Sequence, residues 1–171
     1  MKITLEPLGD VADETMDKLK DRVGDIFHCP AEIKTGCSDL AQAYDPQRKQ
    51  YFSSELLASL GKSEREERVV GIADVDLYVP RLNFVFGEAD MVSGTAIVSL
   101  CRLRQEYYGL APDEALFLER ATKEIVHELG HTFGLRHCPN NKCVMHFSNG
   151  LADTDLKEAH FCNQCRPKII L

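Results

Sequence analysis

The sequence predicts an α/β fold with a mostly parallel sheet, and two observations carry that prediction. Five short runs rich in apolar residues are separated by stretches with helical spacing, and such alternation of strand and helix is the pattern of a parallel sheet covered by helices. One of those runs, beginning at Val69, is almost continuously apolar at its start (VVGIADVDLYV), as befits a strand buried on both faces.

Lys2 to Leu8 alternates weakly and reads as the first strand. Asp10 to Phe27 carries Val11, Met16, Leu19, Val23, Ile26 and Phe27 at the spacing of an amphipathic helix, and Pro30 marks its end. Ala31 to Thr35 is a short second strand, and Asp39 to Gln50, with Asp45-Pro46 inside it, reads as a loop. Ser53 or Ser54 is placed to cap a helix through Leu56, Leu57 and Leu60 to Gly61. After the charged connection Lys62 to Arg68 comes the Val69–Val79 strand, broken by Pro80. Leu82 to Phe86 (LNFVF) is a fourth strand candidate, with Leu82, Phe84 and Phe86 on one face, and TAIVSLCRL after Gly94 is the fifth. From Pro112 the spacing turns helical through Leu116, Ile125, Val126 and Leu129, with Gly130 tolerated inside it at about 1 kcal/mol and Gly134 stopping it. Asp153 or Thr154 would cap a last short helix through Leu156 and His160.

The 171 residues suit one domain, with hydrophobic residues at 44% and charged residues at 27%. The net charge of −7 repels phosphate backbones and argues against nucleic acid as a partner, leaving only an isolated basic patch around Arg102, Arg104, Lys34 and Lys168 to consider. No stretch approaches the length of a membrane span, and MKITLEPLGDVADE carries no apolar core of a signal peptide. The expectation is a cytoplasmic monomer. Seven cysteines in a reducing compartment point to metal or free thiols rather than disulfides, and an odd number cannot make a complete disulfide framework.

The stretch HELGHTFGLRHCPNNKCVM, His127 to Met145, concentrates the chemistry. His127 and His131 are four apart, about 40° around a helix and about 6 Å along it, so both imidazoles leave one face. Glu128 stands beside the first. Two such histidines hold zinc while the glutamate acts as general base on a metal-bound water. Six residues further than His131 comes His137. Continuing the helix would carry it about 9 Å along the axis, so the chain must turn back, and Gly134 is the residue that adopts positive φ without strain at such a stop. HELGHTFGLRH thus resembles the zinc signature of the metzincins, which also place a methionine beneath the metal; Met145 stands where that residue would be.

Cys138 follows His137 directly, and with Cys143, Cys162 and Cys165 it forms a C-x4-C…C-x2-C pattern suited to a tetrahedral structural zinc. His160 is an alternative ligand in that set. Adjacent residues His137 and Cys138 point to opposite sides of the chain, one into each site, so two zinc ions per chain are expected. Together with YFSSELL, LNFVFG and IVSLCRL, the combination resembles the archaemetzincins. That resemblance implies a twisted five-stranded sheet with one antiparallel edge strand, backing helices, a zinc helix beneath the sheet, and a small C-terminal subdomain (135–171) joined to an N-terminal one (1–134). It implies a zinc metallopeptidase acting on peptides or proteins, with His127, His131 and His137 on the catalytic zinc, Glu128 as base, and Met145 and Gly134 in support. Metzincins generally carry a signal and an inhibitory pro-segment, and neither is read here.

LNFVF is the candidate for the edge strand that pairs with an extended substrate, set against an ordinary core strand. His146 is either an oxyanion donor or a solvated loop histidine. Cys29, Cys37 and Cys101 read as buried thiols, and His28 as a cation at a helix end. The competing function is a catalytically weak, zinc-organised peptide-binding module; Glu128 speaks for the enzyme, since a scaffold has no use for a base there. Iron or cobalt could take the place of zinc at three histidines.

Overall fold

The structure, a computed structural model, describes residues 1–34, 39–64 and 66–169. A five-stranded sheet is formed by β1 (Lys2–Leu8), β2 (Ala31–Ile33), β5 (Glu67–Ala73), β7 (Gly87–Asp90) and β8 (Thr95–Ser99), in the order β2-β1-β5-β8-β7. Four strands run parallel, and β7 closes one edge antiparallel to β8, Gly87 opposite Val98 and Asp90 opposite Thr95. A small second sheet joins β3 (Tyr44–Asp45), β4 (Gln50–Phe52) and β6 (Leu77–Tyr78).

The two faces of the large sheet are both covered. Ile3, Leu5, Val70, Ile72 and Val98 share a core with Met16, Leu19 and Val23 of α1 (Asp13–Phe27) and with Ile125, Val126 and Leu129 of α3 (Glu114–Thr132). On the other face Leu8, Ala73, Leu77 and Ile97 pack with Leu56 and Leu57 of α2 (Ser53–Ser59). Two-sided burial explains the apolar runs of β5 and β8. A last helix, α4 (Leu151–Leu156), belongs to the C-terminal segment and packs on α3, where Arg120 holds Asp155 through two bonds of 2.6 Å. Among the described residues no helix is long and apolar enough to cross a membrane.

Several elements differ from the sequence expectation. The strand expected over Val69–Val79 starts at Glu67 and leaves the sheet after Ala73, because Asp74 and Asp76 turn out to meet Arg104 (2.9 Å) and Arg102 (2.6 and 2.7 Å). These pairs, with Lys34 on Glu6 at 3.0 Å, also dissolve the basic patch. LNFVF is not the edge strand. Arg48 and Gln50 bond the carbonyls of Leu82 and Asn83, Phe86 is buried in the core, and Val85 makes a single bridge to Leu77; the edge strand is the next segment, Gly87–Asp90. Gly87 is required there, since a Cβ would meet Glu128 Cγ at 2.6 Å and the Ile97 carbonyl at 2.7 Å.

α1 begins at Asp13 rather than Asp10, after Gly9 at φ +75°. Ser53 is the first residue of α2 and no side chain caps that helix. Asp153 and Thr154 lie inside α4, which ends at Leu156, because the Thr154 hydroxyl is committed to Glu124 at 2.8 Å. The Asp39–Gln50 loop holds a helical turn at Ala41–Ala43 and the β3 strand. Cys29 and Cys101 are half-buried, and Thr35 and Cys37 lie outside the described residues.

Candidate metal centres and cleft

α3 is capped at its start by Asp113, whose carboxylate accepts the Leu116 N–H at 3.0 Å. At its other end Gly134 takes φ +83°. Its N–H donates to the His131 carbonyl at 2.9 Å, and the Leu135 N–H donates to Gly130 at 3.1 Å, the paired bonds of a Schellman stop. The chain therefore folds back beneath the helix it has just left. This return brings His137 to ring-centroid distances of 5.4 Å from His127 and 4.9 Å from His131.

His127 and His131 present Nε2 atoms 3.1 Å apart. Their other nitrogens are each 2.7 Å from a carbonyl, Nδ1 of His127 from Val144 and Nδ1 of His131 from Leu135. A carbonyl can only accept, so each Nδ1 carries the proton and each Nε2 is left with a free lone pair. One ligand atom from each of His127, His131 and His137 lies within 4.8 Å of the other two. Burial draws all three imidazoles below the ordinary histidine range, most strongly His127, where Lys157 and His131 add to the effect. Three neutral imidazoles aimed at one point are the donor set that zinc accepts.

Met145 is fully buried against Gly130 of α3. A Cβ on Gly130 would overlap Met145 Sδ and come within 3.1 Å of Met145 Cε and Phe161 Cε1, so this helix glycine is there for packing. Glu128 faces the same cleft and is 7% exposed. Burial, with the carboxylates of Glu124 and Glu88 nearby, pushes its pKa up to about 8 against the pull of Lys157. A cation in the cleft would reverse that shift. The cleft has a volume near 650 Å³ and runs between β7 and its preceding loop on one side and α3 and the Phe147–Asn149 loop on the other.

The four cysteines form a second cluster. Cys138, Cys143, Cys162 and Cys165 have Sγ atoms within 4.8 Å of one another, with Cys138 and Cys162 at 3.8 Å. Burial raises the Cys143 and Cys165 thiols. Burial opposes ionisation at Cys162 too, yet the backbone N–H groups of Gln164 and Cys165 and the neighbouring thiols bring it down to about 6. Four convergent sulfurs match a closed tetrahedral zinc site, which leaves no open position. His160 is not in the cluster; its carbonyl takes the Val144 N–H at 3.0 Å. The His146 ring bonds the Cys138 carbonyl at 3.0 Å.

Three residues at the site are not among those the sequence singled out. Lys157 is fully buried, with its ammonium 3.0 Å from Glu124, 3.4 Å from the His146 carbonyl and 3.5 Å from His127 Nδ1. Glu124 lies one helical turn before His127 on the cleft face, a position that i, i+3 spacing could have flagged. Phe147 stands with its ring 4.9 Å from that of His137.

Comparison with known proteins agrees with this geometry. The model of Peptidase family M54 matches residues 13–170. The archaemetzincin of Methanocaldococcus jannaschii is 43% identical, over 99% of this chain and 93% of that protein, and the archaemetzincin of Pyrococcus furiosus is 41% identical, over 98% and 91%. The crystal structure of the Archaeoglobus fulgidus archaemetzincin complexed with malonate superposes with a TM-score of 0.87 at 38% identity, covering 99% of this chain and all of that one. With the fold, the three-histidine cluster and these relatives in agreement, the chain belongs to peptidase family M54, the archaemetzincins, and is a zinc metallopeptidase.

Proposed function

We propose that the chain hydrolyses peptide bonds with Glu128 as general base, at a zinc held by His127, His131 and His137. One observation carries this reading: three Nε2-bearing rings converge while the only buried carboxylate adjacent to them in sequence, Glu128, opens onto the same cleft. A bound zinc would supply a Lewis acid and lower the pKa of water at that point. Glu128 would take the proton from the attacking water and pass it to the leaving amine. An extended peptide would add to the free edge of β7 by main-chain hydrogen bonds, a mode that holds a backbone without reading its sequence.

Cys138, Cys143, Cys162 and Cys165 would hold a second, structural zinc, giving two per chain. That ion would fix the loop delivering His137 and Met145, and Gly134 would set its direction. In this reading the single catalytic domain divides into an N-terminal part, 1–134, and a small C-terminal part, 135–171. The test is cleavage of a peptide pool by the zinc-loaded chain, beside Glu128→Ala and a chelated sample. Turnover abolished in both controls supports the reading; turnover no greater than that of Glu128→Ala would favour a peptide-binding module instead.

A further inference from the structure

Glu124 has one oxygen committed and one to spare. It lies on the cleft wall one turn before His127 and is only 2% exposed. Its Oε1 accepts the Lys157 ammonium at 3.0 Å and the Thr154 hydroxyl at 2.8 Å, and the Ser148 hydroxyl reaches it at 3.5 Å. Among the described residues Oε2 takes no donor. Oε2 is not among the buried side-chain atoms that lack a partner, so it is open to the cleft that Glu124 lines, an acceptor free for a ligand donor.

The surroundings agree. Ser148, whose hydroxyl reaches Glu124, and Asn149 also line the cleft. Met91, Gly134 and Leu135 line the cleft beyond the end of α3, with Arg136 beside them. The Lys157 ammonium lies 3.0 Å from Oε1 and 3.4 Å from the His146 carbonyl and makes no bond to Oε2.

We infer that Glu124 is a specificity-determining residue, and that the cleft beside it takes a substrate side chain ending in a hydrogen-bond donor, with lysine the test case. The inference rests on the peptidase reading for the word substrate, but the preference itself is a matter of binding. A donor to a charged acceptor is favoured over an apolar group of equal length by about tenfold or more.

The experiment is calorimetric titration of the zinc-loaded chain with two hydroxamate-terminated dipeptides that differ only in lysine against norleucine. Cleavage of a peptide pool is measured alongside. The expected result is at least tenfold tighter binding of the lysine compound, lost or reversed in Glu124→Met/Lys157→Met, which removes both charges together. Equal affinities on the wild-type chain would overturn the inference, and if the pool is still cleaved the peptidase reading stands. A lysine preference without cleavage would do the opposite. The wild-type ratio decides the matter even if the double variant does not fold.

Discussion

Replacing Gly130 by alanine sets two effects of opposite sign against each other. In an ordinary helix interior the change stabilises by about 1 kcal/mol, because glycine is the weaker helix former. Here the added Cβ falls on Met145 Sδ and within 3.1 Å of Phe161 Cε1. Met145 is fully buried and Phe161 is 9% exposed, so neither side chain can swing into solvent. Overpacking of this kind costs about 1–3 kcal/mol, so Gly130→Ala should be net destabilising, by up to about 2 kcal/mol. For a chain of this size each kcal/mol moves Tm by about 2–4 °C. Differential scanning calorimetry of the zinc-loaded variant should therefore show a lower Tm. Under the proposed role of Met145 as a support of the histidine cluster, peptidase activity should fall further than stability alone requires. A Tm equal to or above wild type would refute the packing argument and return Gly130 to the status of a tolerated helix glycine.

Glu128→Gln should change the pH dependence of the metal-free chain. The folded pKa of Glu128, about 8, lies above its ordinary 4.5, so the stability it confers is full below pH 4.5 and is lost as pH rises through about 8. At pH 7 that loss is about 3 kcal/mol, and the glutamine variant escapes it. Denaturant midpoints that fall in parallel for both chains between pH 5 and 8 would contradict the assignment. Cys143→Ser should remove at least one zinc per chain by metal analysis and lower Tm, loosening the loop that delivers His137; full zinc content would show that Cys143 is no ligand. Lys157→Met alone strands Glu124 as a buried charge and should cost about 3–5 kcal/mol. Glu124→Met/Lys157→Met should cost much less, and equal losses in chemical denaturation would argue that the pair is not coupled.

The zinc helix was legible because its determinants are contiguous. Five residues from His127 to His137 state a geometry that the Schellman stop at Gly134 then carries out. The cysteine cluster was legible for a related reason, since two short spacings each bring a pair of sulfurs together. The sheet was legible where burial on two faces made β5 and β8 almost wholly apolar. The edge strand was not. LNFVF has the better alternation, but its carbonyls are taken by Arg48 and Gln50, while the polar segment GEAD pairs because it lies against β8. Lys157 and Glu124 are 33 positions apart, and a lysine gives no local sign that it will be buried. Gly130 was readable as a glycine but not as a seat for Met145, because the contact comes from the returning chain.

The central claim is that the glycine-terminated helix and its return loop assemble two separate metal centres on adjacent residues, His137 and Cys138. A crystal structure of the zinc-loaded chain with anomalous data at the zinc edge tests it most directly. Two peaks are expected. One should lie about 2.0–2.1 Å from Nε2 of His127, His131 and His137, and the other about 2.3 Å from the sulfurs of Cys138, Cys143, Cys162 and Cys165. A single peak, or a metal that binds without His137, would contradict the account.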